Sequence, residues 1–344
     1  MRRVLFIIAT VLLLTLCATV IGLSTRPSLH QWSDFRASSS DLAEQDNGIA
    51  VTWLGTATVL ITDGDTRLLS DGFFSRPSLL DLASGPIEPD QQRIDQALTR
   101  YGIDALDAVM VLHSHYDHAM DAPLVARQTG ARLLGSASSA NVARGLGLAE
   151  DQIQVVTPGE PIPIGQFTVR FLSSGHVPQN PLVDMATGIG KTINDPLVPP
   201  AWVSRWKEGE SWAVLVEHER GTILLQGSAG FREGQLQGYQ ADLALVSSVG
   251  LFRQPNTFQA SYFRNTVLAS GAHTVVPIHW DDFFTELRGP DTPPLPWLVE
   301  HLNGSFRTLA GPAARAGTRF LLLSPGETLW LPARQAEARQ SGAN

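Results

Sequence analysis

The 344-residue sequence has one cysteine, Cys17, and it lies inside an apolar amino-terminal run. The rest of the chain therefore forms no disulfide and has no thiolate to offer a metal. Charge is also sparse: 17% of residues, 25 basic against 33 acidic, for a formal net charge of −8. A nucleic-acid binder needs a basic face, so this balance speaks against one. No short-period repeat is visible, and there is no complete phosphate loop. Gly188-Ile189-Gly190-Lys191-Thr192 matches half of one, but Met185 stands where its first glycine belongs. What is abundant is core material, with 43% apolar residues, 8 Trp and 14 Phe. By length the chain could form two domains, although large α/β layers often fold as one.

Arg2 and Arg3 precede an uncharged run from Val4 to Leu23. That length suffices to span a bilayer as a helix, and the basic pair would hold the amino terminus in the cytoplasm. A cleaved signal peptide is the competing reading, since Gly22 and Ser24 are small enough to permit processing. Residues 1–23 are thus expected to be a signal anchor or signal peptide, 24–48 a polar linker, 49–332 the main domain and 333–344 a polar tail. Either reading of the first segment puts the domain outside the cytoplasm, in a periplasmic or extracellular setting.

From Ile49 onward, runs with strand character alternate with helical ones. Strands are expected at 49–54, 57–62, 67–71, 107–112, 132–135, 153–156 and 167–173, then at 212–218, 221–226, 242–247, 274–278 and 319–323. Helices are expected at 90–101, 122–129, 138–145, 257–270 and 295–302, with Asp90 capping the first and Gly102 stopping it. Two sets of strands with interspersed helices fit two sheets face to face, covered by helices on both outer sides.

The informative stretch is His113-Ser114-His115-Tyr116-Asp117-His118, which follows the apolar run Ala108 to Leu112. A buried strand ending in a loop delivers side chains to the rim of a sheet, where sites are commonly built. Nine histidines occur in the chain, and three within six positions make an accidental polar turn a poor explanation. Nitrogen and oxygen donors without thiolate suit zinc, with manganese or iron as weaker options. Two further histidines, His176 and His279, also follow apolar strands.

His-x-His-x-Asp-His after a strand resembles the signature of the metallo-β-lactamase superfamily. Trp53 to Ile61 is similar to that family's opening strand pair, and Leu69-Ser70-Asp71-Gly72 to the acidic turn that follows. The resemblance covers about residues 49 to 330 and leans toward the branch containing N-acyl-phosphatidylethanolamine-hydrolysing phospholipase D and the ascorbate-lactone hydrolases. It implies an α/β fold, a four-layer αββα sandwich of two similar halves, here behind an N-terminal transmembrane helix. It also implies that His113, His115 and His176 hold one metal ion and that Asp117, His118 and His279 hold a second. Asp71 would orient a ligand histidine from behind. One expected ligand is missing, because Ser228 occupies the place of the family's bridging aspartate. A neutral hydroxyl supplies no charge, so the second ion is expected to bind weakly. Asp121, Asp281 and Asp282 lie near ligands in sequence and could compensate, but the preferred reading is that they support ligands from behind or lie on the surface.

A hydrolase using a metal-activated water is the expected activity, with one or two Zn2+ ions, or Mn2+ or Fe2+, and with Asp117 as the catalytic carboxylate. The alternative is an impaired family member that binds a ligand without turnover. Between His176 and Trp212 the chain is apolar and Pro-rich, including Met185, Ile189, Trp202 and Trp206. Such long connections serve as lids or binding walls. On a membrane-tethered protein, this one suggests a small-molecule or lipid-like substrate: an amphiphilic phosphodiester, ester or lactone. Simple packing on the core is the other reading of that segment.

Overall fold

The computed structural model describes residues 2–45 and 47–332; the tail expected over 333–344 lies outside them. The apolar runs become strands β1 (Ile49–Trp53), β2 (Val59–Thr62), β3 (Arg67–Ser70), β4 (Ala108–Met110), β5 (Arg132–Gly135), β6 (Ile153–Val155) and β7 (Ile162–Ile164), followed by β8 (Phe167–Ser173), β9 (Trp212–His218), β10 (Gly221–Gln226), β11 (Leu243–Ser247), β12 (Thr274–Ile278), β13 (Arg319–Phe320) and β14 (Thr328–Leu331). They form two seven-stranded sheets, ordered β14-β1-β2-β3-β4-β5-β6 and β7-β8-β9-β10-β11-β12-β13. In each, read in that order, the first three pairings are antiparallel and the last three parallel. The two halves expected from the resemblance are thus visible as one topology used twice.

Strand periodicity places the core. Along β4 and its extension, Ala108, Met110 and Leu112 belong to one buried cluster, while Val109 and Val111 belong to another. The first cluster also holds Val169, Phe171, Val214 and Val216 of the second sheet, so it fills the space between the sheets. The second lies under the helices Gln91–Arg100, Ala122–Thr129 and Ala137–Gly145 on the outer face of the first sheet. Alternate residues of one strand serve both layers, as the pleat requires. Helices Asn256–Phe263 and Leu302–Ala316 pack together with the second sheet, completing the αββα order.

Asp90 caps its helix by accepting a hydrogen bond from the Arg93 amide at 3.1 Å, and Gly102 follows in the left-handed region at φ +59°. The helix expected over 295–302 does not form. Pro293, Pro294 and Pro296 remove backbone donors there, and the chain turns instead. A 15-residue helix begins at Leu302 in its place, running through Gly304, Gly311 and Pro312. Arg2–Ser24 is a 23-residue helix. Among the described residues, however, no helix is long and apolar enough to cross a membrane, so the anchor has no structural support. Its last turn docks on the domain: the Leu298 amide donates to the Gly22 carbonyl at 3.2 Å, and Arg26 Nη2 meets Asp282 Oδ2 at 2.6 Å.

Candidate metal centre

All six candidate ligands stand just beyond strand ends on one rim. His113 to His118 follow β4, His176 follows β8 and His279 follows β12. The motif is not a plain loop. Tyr116–Ala119 makes a single helical turn that swings Asp117 and His118 away from His113 and His115. The result is two separate groups, His113/His115/His176 and Asp117/His118/His279, each with donor atoms within 4.8 Å of one another.

Within the first group His113 Nε2 and His115 Nδ1 are 3.1 Å apart. In the second, His279 Nε2 lies 3.3 Å from His118 Nε2 and 3.2 Å from Asp117 Oδ2. The His113 and His118 rings, with centroids 3.7 Å apart, join the groups. Buried lone pairs that converge this closely, with the Asp117 carboxylate among them, repel one another, and a cation between them would satisfy them. The set is all nitrogen and carboxylate oxygen, which fits a borderline or hard divalent ion.

Partners outside each group set the inward-facing nitrogen. His118 Nδ1 meets Asp71 Oδ2 at 2.7 Å, so its proton sits there and Nε2 points inward. Asp71 itself accepts from the Leu112 amide at 2.8 Å and takes a left-handed φ of +53°, which fits the expected orienting role. His176 Nδ1 donates to the Val177 carbonyl at 2.9 Å, and His115 Nε2 to that of Thr187 at 3.1 Å. The pair therefore presents Nε2 and Nδ1 respectively to the centre.

Electrostatics keeps His113, His115 and His176 in the neutral form, with one ring proton each. Burial, reinforced by neighbouring imidazoles, holds His113 well below its ordinary value, and burial with His176 brings His115 down to about 3. Burial also lowers His176, against the opposing pull of Glu208. His118 goes the other way, because Asp71 and Asp117 outweigh the effect of its burial. Burial works against the charged form of Asp117, yet His118 and His279 hold its carboxyl far below the usual carboxylate range.

The remaining candidates lie elsewhere. Ser228 lines the cavity beside the centre, but its hydroxyl is engaged, accepting from the Val177 amide at 3.0 Å. Asp121 accepts from the amides of Phe74 and Ser75 and from the Ser75 hydroxyl, and burial pushes it up to about 6. Asp281 is paired with Arg76, and Asp282 with Arg26. None of these three is among the converging donors. Sequence reasoning missed Glu208, which is buried and accepts from the Gly190 amide at 2.7 Å and the Ser211 hydroxyl at 2.8 Å. Its backbone carbonyl accepts from Ser114 within the motif. A lone glutamate in a Gly-flanked turn carries no sequence signal of that duty.

A cavity of about 360 Å³ opens over both groups. Its walls come from the segment after His176 (Val183, Ile189, Val203, Trp206) and from Val249, Phe283, Phe284 and Leu298. The expected wall segment is therefore in place: helix Pro181–Thr187 stands at the opening, with Met185 67% and Trp202 52% exposed.

Comparison with known proteins agrees with this geometry. A family model described as "Beta-lactamase superfamily domain" matches residues 50–190. A protein of Rubrobacter xylanophilus named "UPF0173 metal-dependent hydrolase" is 27% identical over 245 residues, covering 70% of this chain and 85% of the relative. Among solved structures, a metallo hydrolase of the archaeon Ignicoccus hospitalis superposes with TM-score 0.51 at 13% identity, over 82% of this chain and 98% of the other. A possible metal-dependent hydrolase of Veillonella parvula gives TM-score 0.51 at 15% identity, over 82% and 99%. At such identities these structures show a shared fold.

Proposed function

We propose that this chain, a metal-dependent hydrolase of the metallo-β-lactamase superfamily, cleaves a small amphiphilic molecule bound across its two donor groups. One observation carries the reading: six donor side chains from three strand ends converge at the floor of an apolar cavity of about 360 Å³. That size lies at the lower end of pockets that enclose small molecules. An ion held there supplies a water-derived nucleophile near neutral pH and polarises the bond to be cleaved. His113, His115 and His176 would hold it, with Asp117, His118 and His279 holding a second.

The chain's own groups have separable duties. Asp117 stays ionised even when buried, so it is a poor proton acceptor. Its contribution is negative charge and orientation at the junction of the groups. Thr187, at the end of the wall helix, fixes the tautomer of His115 through its carbonyl. Val183, Ile189 and Trp206 exclude water and favour an apolar portion of substrate. A phosphodiester, ester or lactone bond on such a molecule fits both parts of the site. The narrower placement beside the N-acyl-phosphatidylethanolamine and ascorbate-lactone hydrolases, like the identity of the metal as zinc rather than manganese or iron, rests on the motif and ligand chemistry. The outward-facing, membrane-tethered location rests on sequence alone, on Arg2, Arg3 and the uncharged run behind them. A topology reporter fused after residue 332 tests that location.

Chromogenic phosphodiesters, esters and lactones, each offered with zinc, manganese and iron, test the activity. Turnover is expected in at least one arm and none in a His113→Ala/His115→Ala variant, which should also lose metal. Full turnover in that variant ends the reading; saturable ligand binding without turnover in any arm favours a binding module instead.

A further inference from the structure

His279 differs from the other oriented histidines of the centre. His115, His118 and His176 each have a partner behind the ring, whereas the buried Nδ1 of His279 has no hydrogen-bond partner among the described residues. Something else must aim this ring at Asp117 and His118. The backbone gives the answer. His279 takes φ +63°, a left-handed conformation uncommon outside glycine, which the residues packed around it hold in place.

Those surroundings converge on a buried ion pair. The His279 amide donates to the Thr56 carbonyl at 2.9 Å. Thr56 is left-handed as well, at φ +49°, and its own amide donates to Asp281 Oδ1 at 2.7 Å. The other oxygen, Asp281 Oδ2, receives Arg76 Nη2 at 2.7 Å, with both side chains fully buried. Arg76 is a third left-handed residue, at φ +46°, and its Nη1 reaches the Asp282 carbonyl at 3.4 Å. Gly55 lets the pair approach: a Cβ there would collide with the guanidinium and lie 2.6 Å from Asp281 Oδ2. The turn after β1 and the turn after β12, from opposite sheets, are thereby clamped together next to His279.

We infer that Arg76 and Asp281 are positioning residues that aim His279 at the second donor group through the Thr56 turn. The inference rests on the metal-centre reading above. Because Ser228 supplies no bridging charge, the second group depends on the placement of His279 more than a bridged centre would.

Zinc titration of the metal-stripped full chain by calorimetry tests this. Wild type should take a tight and a weaker equivalent. Asp281→Asn should weaken the second at least tenfold and leave the first within about twofold. In a His279→Ala background, Asp281→Asn should cause no further loss, because it acts through the imidazole that is gone. Equal weakening of both equivalents, additive losses in the two backgrounds, or an unchanged second equivalent overturns the inference. If circular dichroism shows that Asp281→Asn does not fold, Arg76→Lys is read instead, with at least threefold weakening of the second equivalent expected and no change overturning it. A wild type that binds no zinc removes the zinc centre and the inference with it. A wild type with one equivalent at saturation removes the second group and the inference with it.

Discussion

Ser228 is the residue that most sets this centre apart from its sequence signature. Its hydroxyl is spent on the Val177 amide, and the fully buried Gln226 fixes the turn around it, its Nε2 lying 2.9 Å from Ser174 Oγ, 3.1 Å from the Ser228 carbonyl and 2.8 Å from the Gly230 carbonyl. Ser228→Asp places a carboxylate at that position while keeping an acceptor for the Val177 amide. We expect it to tighten the second metal equivalent tenfold or more, read by the metal retained after dialysis against a weak chelator; unchanged retention means the position does not face the ions. Asp121 gives a pH prediction. Burial raises its folded value to about 6 from 3.8, so between those values the folded chain keeps a proton that the unfolded chain releases. Its contribution to stability is present at low pH and is lost as pH rises through about 6. Urea midpoints of wild type and Asp121→Asn should diverge between pH 4 and pH 7, wild type losing up to about 3 kcal/mol relative to the variant; parallel curves rule this out. At this scale the sequence was legible where identity carries the chemistry: the structure brings the six candidate donors together and places Asp71 behind His118. What stayed hidden were groups whose role depends on contact, namely Glu208 and Arg76, since a charged residue in a turn looks the same whether it faces water or a buried partner.

Among the elements, the wall segment has the clearest functional consequence. Helix Pro181–Thr187 borders the cavity through Val183, which is 36% exposed, and meets the centre through the Thr187 carbonyl. Val183→Asp should therefore raise KM for an apolar substrate about tenfold with kcat and bound metal little changed. A loss of bound metal would show that the helix supports the donors rather than the substrate. The strands were legible because each of their buried faces carries an apolar residue. β7 and β14 were not expected; in β7, Pro163 interrupts the strand signal. Helix Leu302–Ala316 escaped because Gly304, Gly311 and Pro312 interrupt its pattern; tertiary packing of Phe306, Leu309 and Ala313 overrides those weak propensities. The expected helix 257–270 divides into Asn256–Phe263 and a π-helical turn Arg264–Leu268, a local widening that side-chain periodicity does not reveal.

For the whole molecule, the centre lies on the seam between two copies of one sheet topology. His113, His115, Asp117 and His118 come from the first sheet, and His176 and His279 from the second. An ion bound there ties the halves together, and it stabilises the folded state because the unfolded chain does not assemble the donors. Chelation should lower Tm by roughly 5 °C or more, and added zinc should restore it: saturation a thousandfold above Kd is worth about 4 kcal/mol, each shifting Tm by about 2 °C or more at this size. A chelator-insensitive Tm excludes a tightly held ion. The order β14-β1 has one more consequence, for the chain as it leaves the ribosome. Leu331 pairs with Ile49, so the nascent polypeptide carries an uncovered, apolar β1 edge until Thr328–Leu331 has been made. Such an edge invites pairing with neighbouring chains. Premature termination anywhere before Thr328 should therefore yield aggregates rather than a smaller soluble protein.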